Sequence, residues 1–154
     1  MINPNTTAPE SIVVSLENAK LLKAAGWAQE PSVFYWQWFE DDREWPNWDG
    51  NSAWYCDQMH VGLDDYDDGE CYAAATAEEI LWKLPKVLHI GEKREAVYLS
   101  IKMDSNKWIV LYSPDYDQRR CNKENFWKQS KTSLSDALSS MYCHLAEHKL
   151  LPSL

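Results

Sequence analysis

Glycine is scarce in this chain: five in 154 residues, at Gly26, Gly50, Gly62, Gly69 and Gly91. A phosphate cradle made of backbone N–H groups needs glycines close together, and neither a P-loop nor a G-x-G-x-x-G fingerprint is present. The G-x-S-x-G turn of hydrolases is missing as well. The four cysteines, Cys56, Cys71, Cys121 and Cys143, form no C-x-x-C pair and read as reduced core thiols, not as a disulfide framework. No apolar run approaches the roughly 18 residues of a membrane helix. The opening MINPNTTAPESIVV lacks a basic segment followed by an apolar run, so no secretory signal is expected. The expectation is a cytoplasmic protein with no membrane partner.

Basic residues are missing from one long segment. From Glu30 to Glu70 twelve acids face Arg43 alone, a local charge of -11 in a chain whose net charge is -9. The sign reverses between Arg119 and Lys131, where five bases face Glu124. So uneven a distribution repels nucleic-acid phosphates and favours basic partners. Its plainer consequence is to keep an aromatic-rich region soluble. That region is FYWQWFEDDREWPNWDGNSAWY, residues 34–55, which holds nine aromatic side chains and five of the nine tryptophans.

With 45% apolar residues and 13% aromatics the chain is globular, and its length fits a single domain over residues 12–152 after a loose segment, residues 1–11. Ser15 caps a helix from Leu16 to Ala25, with Glu17 at its positive end and Lys20 and Lys23 at its negative end. Gly26 supplies a left-handed stop and places Trp27 to touch Leu22. Val33 to Phe39 reads as a buried central strand, since aromatics occupy both of its faces. Trp54 to Met59 is its partner across a long loop. LDDYDDGE, residues 63–70, reads as a surface loop.

Thr76-Ala-Glu-Glu79 matches the capping box and opens a short helix that stops before Pro85. Val87 to Ile90 is a short strand ended by Gly91. Ala96 to Met103 and Trp108 to Tyr112 form a hairpin, turning at Asp104-Ser-Asn-Lys107, with Val97, Leu99, Ile101 and Met103 on one face. Ser133 and Asp136 cap a last helix striped by Leu134, Leu138, Met141 and Leu145. The order predicts an α+β two-layer domain: a mainly antiparallel sheet with about three helices packed on one face.

Motifs that could carry chemistry fail when their ligands are counted. His144-Leu-Ala-Glu-His148 matches H-x-x-E-H, the inverted zinc-protease motif. A catalytic zinc needs a third protein ligand, which that family takes from a glutamate well downstream, whereas Leu154 ends this sequence six residues after His148. A helical wheel also puts His148 inside the Leu134/Leu138/Leu145 stripe, with Cys143 on the opposite side, so His148 reads as a partly buried helix-end histidine. An EF-hand counted from Asp64 puts Gly69 correctly at the sixth position, but Tyr66 takes a ligand position and Ala75 the place of the bidentate glutamate. No metal, cofactor or catalytic residue is expected. Aromatic stacking on single-stranded nucleic acid needs basic tracks that this acidic segment lacks, so direct nucleic-acid binding is not expected either.

Five segments carry a whole-chain resemblance: SLENAKLLKAAGWAQE, FYWQW, TAEEILWKLPKV, YLSIKMDSNKWIVLYSPD and SLSDALSSMYCHLAEHKL. Over residues 15–150 the chain resembles small proteins encoded in bacteriophages and prophages that have no assigned activity. The resemblance implies a phage-linked accessory protein and transfers no site residues.

Two functions remain. One is a non-enzymatic protein that binds a host or phage macromolecule, most naturally a protein with a basic surface. Its acidic, tryptophan-bearing face comprises Asp41, Asp42, Trp45, Trp48, Asp64, Asp65, Asp67 and Asp68. A nucleic-acid mimic or an inhibitor of a host defence protein is one form of it. The other is a small enzyme or ligand-binding domain with a site near Cys56, Asp57 and His60.

Overall fold

In the computed structural model, residues 12–29, 31–39, 53–58, 71–114 and 127–152 are described, with backbone alone for 38–39, 53–55 and 57–58. The chain divides into two compact units, residues 1–75 and 76–154. Both are built from antiparallel sheet and helix, an α+β arrangement in two layers.

In the first unit, α1 (Leu16–Ala24) starts where the Ser15 hydroxyl accepts the Asn18 N–H. It ends in a Schellman turn: Gly26 takes φ +88° and its N–H reaches the Lys23 carbonyl, while the Trp27 N–H reaches that of Leu22. Ala19 and Leu22 are fully buried. Strand β1 (Phe34–Phe39) is central, with β2 (Ala53–Gln58) antiparallel on one side and β3 (Cys71–Ala73) antiparallel on the other. The Trp36 indole donates to the Val14 carbonyl at 2.9 Å, and the Val14 N–H donates to Ala75, so the segment before α1 is tied to β1 and to the end of β3. The Gln29 side chain bridges the same elements: its amide donates to the Trp27 carbonyl and its oxygen accepts the Ala73 N–H at 3.0 Å.

Burial along β1 is uneven. Tyr35 and Gln37 are buried, Phe34 and Trp36 half-buried. Val33, expected in the core, is 52% exposed because the strand begins one residue after it. The three-residue β3 is too short to show a periodicity in the sequence.

In the second unit, α2 (Ala77–Lys83) opens with both halves of its capping box. The Thr76 hydroxyl accepts the Glu79 N–H, and the Glu79 carboxylate accepts the Thr76 N–H. The sheet runs β4 (Val87–Ile90), β5 (Glu95–Asp104), β6 (Lys107–Ser113) and β7 (Trp127–Lys131), each antiparallel to the next. Ser105 and Asn106 turn β5 into β6, both with positive φ, as a two-residue hairpin of matching twist requires. Strand β6 is buried from Ile109 to Ser113, and the Tyr112 hydroxyl donates to the Pro85 carbonyl at 2.6 Å. Burial pushes the Tyr112 phenol far above its ordinary range. Met103, on the expected apolar face of β5, is exposed because it lies at the far end of the hairpin beside the turn.

Helix α3 (Leu134–Glu147) packs on β6 and β7 and against α2. Its core-facing residues, Ala137, Leu138, Met141 and Leu145, are fully buried. Ser139 is buried too, and its hydroxyl donates to the Asp136 carbonyl. The helix ends in a second Schellman turn, with Lys149 at φ +57° in the place usually held by glycine.

Candidate functional site

The eight residues of the expected partner-binding face, Asp41, Asp42, Trp45, Trp48, Asp64, Asp65, Asp67 and Asp68, lie outside the described residues, as does His60. Asp57 is placed on β2 by its backbone, opposite Tyr35. Cys56 is buried against Val13 and Ala74, with Phe34 and Trp36 packed on the same cluster, which makes it a core thiol. Cys56, Cys71 and Cys143, the described cysteines, form no disulfide.

Among the described residues, one grouping of metal-ligating side chains stands out, at the C-terminal end of α3. His144 and His148 are one turn apart, so their rings share a side of the helix. Position along the axis matters as much as the wheel angle. Leu145 is the last fully buried residue of the helix; His148, its C-cap, has passed the end of the stripe and is exposed. The wheel alone predicted burial for His148, and the structure corrects it. Trp127, the first residue of β7, pairs opposite Tyr112 and rises on the sheet face that α3 covers. Its ring meets His144 edge-on at 5.2 Å between centroids and His148 at 5.5 Å. The two imidazoles lie 4.4 Å apart.

Hydrogen bonding sets the chemistry of the pair. His148 Nδ1 lies 3.1 Å from the His144 carbonyl, and since a carbonyl only accepts, Nδ1 carries the proton there. In the neutral ring the lone pair is then on Nε2. His144 Nε2 is enclosed and has no hydrogen-bond partner among the described residues. Burial, and after it the neighbouring His148, hold His144 below the ordinary histidine range, while Glu147 pulls the other way. One donor atom each from His144, Glu147 and His148 lie within 4.8 Å of one another. Cys143 stays a neutral thiol, its pKa pushed up to about 11 by burial and then by Glu147.

Sequence reasoning passed over two features here. Trp127 opens a mostly polar strand, WKQSK, whose edge position needs little apolar content. Trp82, on α2, is 79% exposed, an unusual setting for so large an apolar ring. Its signal was faint: Leu81 and Trp82 are adjacent in a seven-residue helix, so only one of them can face inward easily.

No family model, curated protein or solved structure matches the chain.

Proposed function

We propose that this is a non-enzymatic, phage-type accessory protein that binds a basic macromolecular surface, through the acidic segment Glu30–Glu70 and its tryptophans Trp45 and Trp48. The observation that carries this reading is the confinement of a charge of -11 to that segment, in a chain of net charge -9. Dense carboxylates steer a basic partner into encounter, and tryptophans among them supply the apolar anchors that charge alone lacks. A groove that normally holds a nucleic-acid backbone has the required chemistry, so a mimic of nucleic acid is the most specific form of the proposal. The phage-type part of the proposal rests on the resemblance to small phage and prophage proteins, which by itself implies no binding activity.

The test is retention of bacterial proteins on the immobilised chain at low and at raised salt. A second column carries the variant with Asp41, Asp42, Asp64, Asp65, Asp67 and Asp68 all changed to Asn. The expected partner is held by the first column only and released by salt, because screening shortens the reach of exposed charges. A partner held equally by both columns, or no partner at all, overturns the reading.

A further inference from the structure

We propose that His144, Glu147 and His148 form a binding site for a divalent transition metal of the zinc class at the end of α3, walled by Trp127. The H-x-x-E-H spacing alone does not carry this, because a catalytic zinc of that motif takes its third ligand from downstream and the helical wheel makes His148 a partly buried helix-end histidine. Both objections change with the structure. His148 is exposed, and the third donor is within the motif: the Glu147 carboxylate lies with the two imidazoles inside a 4.8 Å span.

The geometry is close to what a metal demands. Ligand atoms 2.0–2.2 Å from a tetrahedral zinc sit about 3.3 Å from each other. Glu147 and His148 are exposed side chains that can swing the remaining distance without disturbing the core. Two further features fit the role. Metal-bound histidines usually donate their second ring N–H to a carbonyl or carboxylate, which fixes the tautomer, and His148 Nδ1 already does so to the His144 carbonyl. On the other ring, His144 Nε2 meets no hydrogen-bonding group among the described residues that would compete for it. The Trp127 ring, 5.2 and 5.5 Å from the imidazoles, forms an apolar wall on one side and limits water there.

The donor set selects the ion. Imidazole with carboxylate suits Zn²⁺, Cu²⁺, Ni²⁺ and Co²⁺, whereas Ca²⁺ and Mg²⁺ take oxygen ligands. Three protein donors leave a fourth position open to water or to a group on another molecule. The inference is independent of the acidic segment, which lies elsewhere in the sequence.

Calorimetric titration of the metal-stripped full chain with Zn²⁺ at about pH 7.5 tests it, with excess Mg²⁺ present to saturate carboxylate-only sites. One-to-one uptake is expected, weakened about tenfold or more by His148→Ala and by His144→Gln, and less by Glu147→Gln. Because His148 is an exposed helix cap, its variant stays folded, which circular dichroism verifies. Cu²⁺ supplies a second readout: bound at the site it quenches Trp127, so a saturable part of the fluorescence loss disappears in Trp127→Phe. Absence of Zn²⁺ uptake, uptake abolished by Mg²⁺, or an isotherm unchanged by His148→Ala overturns the proposal.

Discussion

The Trp27 N–H donates to the Leu22 carbonyl at 2.9 Å, across a glycine with φ +88°, and both side chains are buried. This contact closes α1 and turns the chain toward β1. It depends on Gly26 for its conformation, not for space, since a Cβ there would meet nothing within 4 Å. Gly26→Ala is therefore expected to destabilise by about 1–2 kcal/mol through left-handed strain alone. A fall in the denaturation midpoint measures it, and an unchanged midpoint refutes it.

The second helix end makes the opposite test. Lys149 occupies the same left-handed position after α3, where the Leu150 N–H reaches the Leu145 carbonyl at 2.9 Å. An L side chain is strained there, so Lys149→Gly should raise stability by about 0.5–1 kcal/mol, the larger backbone freedom of unfolded glycine offsetting part of the gain. Thermal unfolding of the paired variants decides it: Gly26→Ala and Lys149→Gly must shift in opposite directions.

Trp36→Phe keeps most of the ring and removes one hydrogen bond. It leaves the carbonyl of Val14, a fully buried residue, without the indole N–H that lies 2.9 Å from it. The expected loss is about 1–3 kcal/mol, the usual penalty for stranding a buried polar group. Chemical denaturation measures it, and a variant as stable as the parent would show that this tether contributes nothing.

Cys143 should resist alkylation at about pH 8, where an ordinary thiol is partly ionised. Its pKa is pushed up to about 11, first by burial and then by Glu147. The sign for stability follows: a folded pKa above the unfolded value near 9.0 gives stability that is complete below that pH and is lost as pH rises toward 11. Peptide mapping after iodoacetamide treatment tests the first statement. Modification of Cys143 as fast as in an unfolded control contradicts it.

Elements with local punctuation were readable in the sequence. Ser15, the Thr76–Glu79 box and Ser133 each cap the helix that the residues predict, and Ser105-Asn106 makes the expected turn. What escaped was structure imposed by neighbours. Strand β3 exists because β1 offers it a free side, and β7 because β6 does; β3 is too short to show a period and β7 too polar to announce itself. The end of α3 was misjudged for a related reason: a wheel projects the helix along its axis, so it cannot say that burial stops at Leu145. Trp127, distant in sequence, therefore escaped notice as the wall beside the two histidines. The expected partner-binding residues and His60 lie outside the described residues, so the H-x-x-E-H motif and the Cys56–Asp57 pair are the candidates that meet geometry here.

Gln29 has a consequence for how the protein keeps company with its own copies. Strand β3 is the last of its sheet, and a strand in that position offers unpaired N–H groups on which another chain can add itself. On this one the Ala73 N–H is already taken by the Gln29 amide oxygen. A side chain from five residues beyond the end of α1 thus acts as a stopper, and a three-residue strand with this donor occupied is a poor template for sheet growth or aggregation.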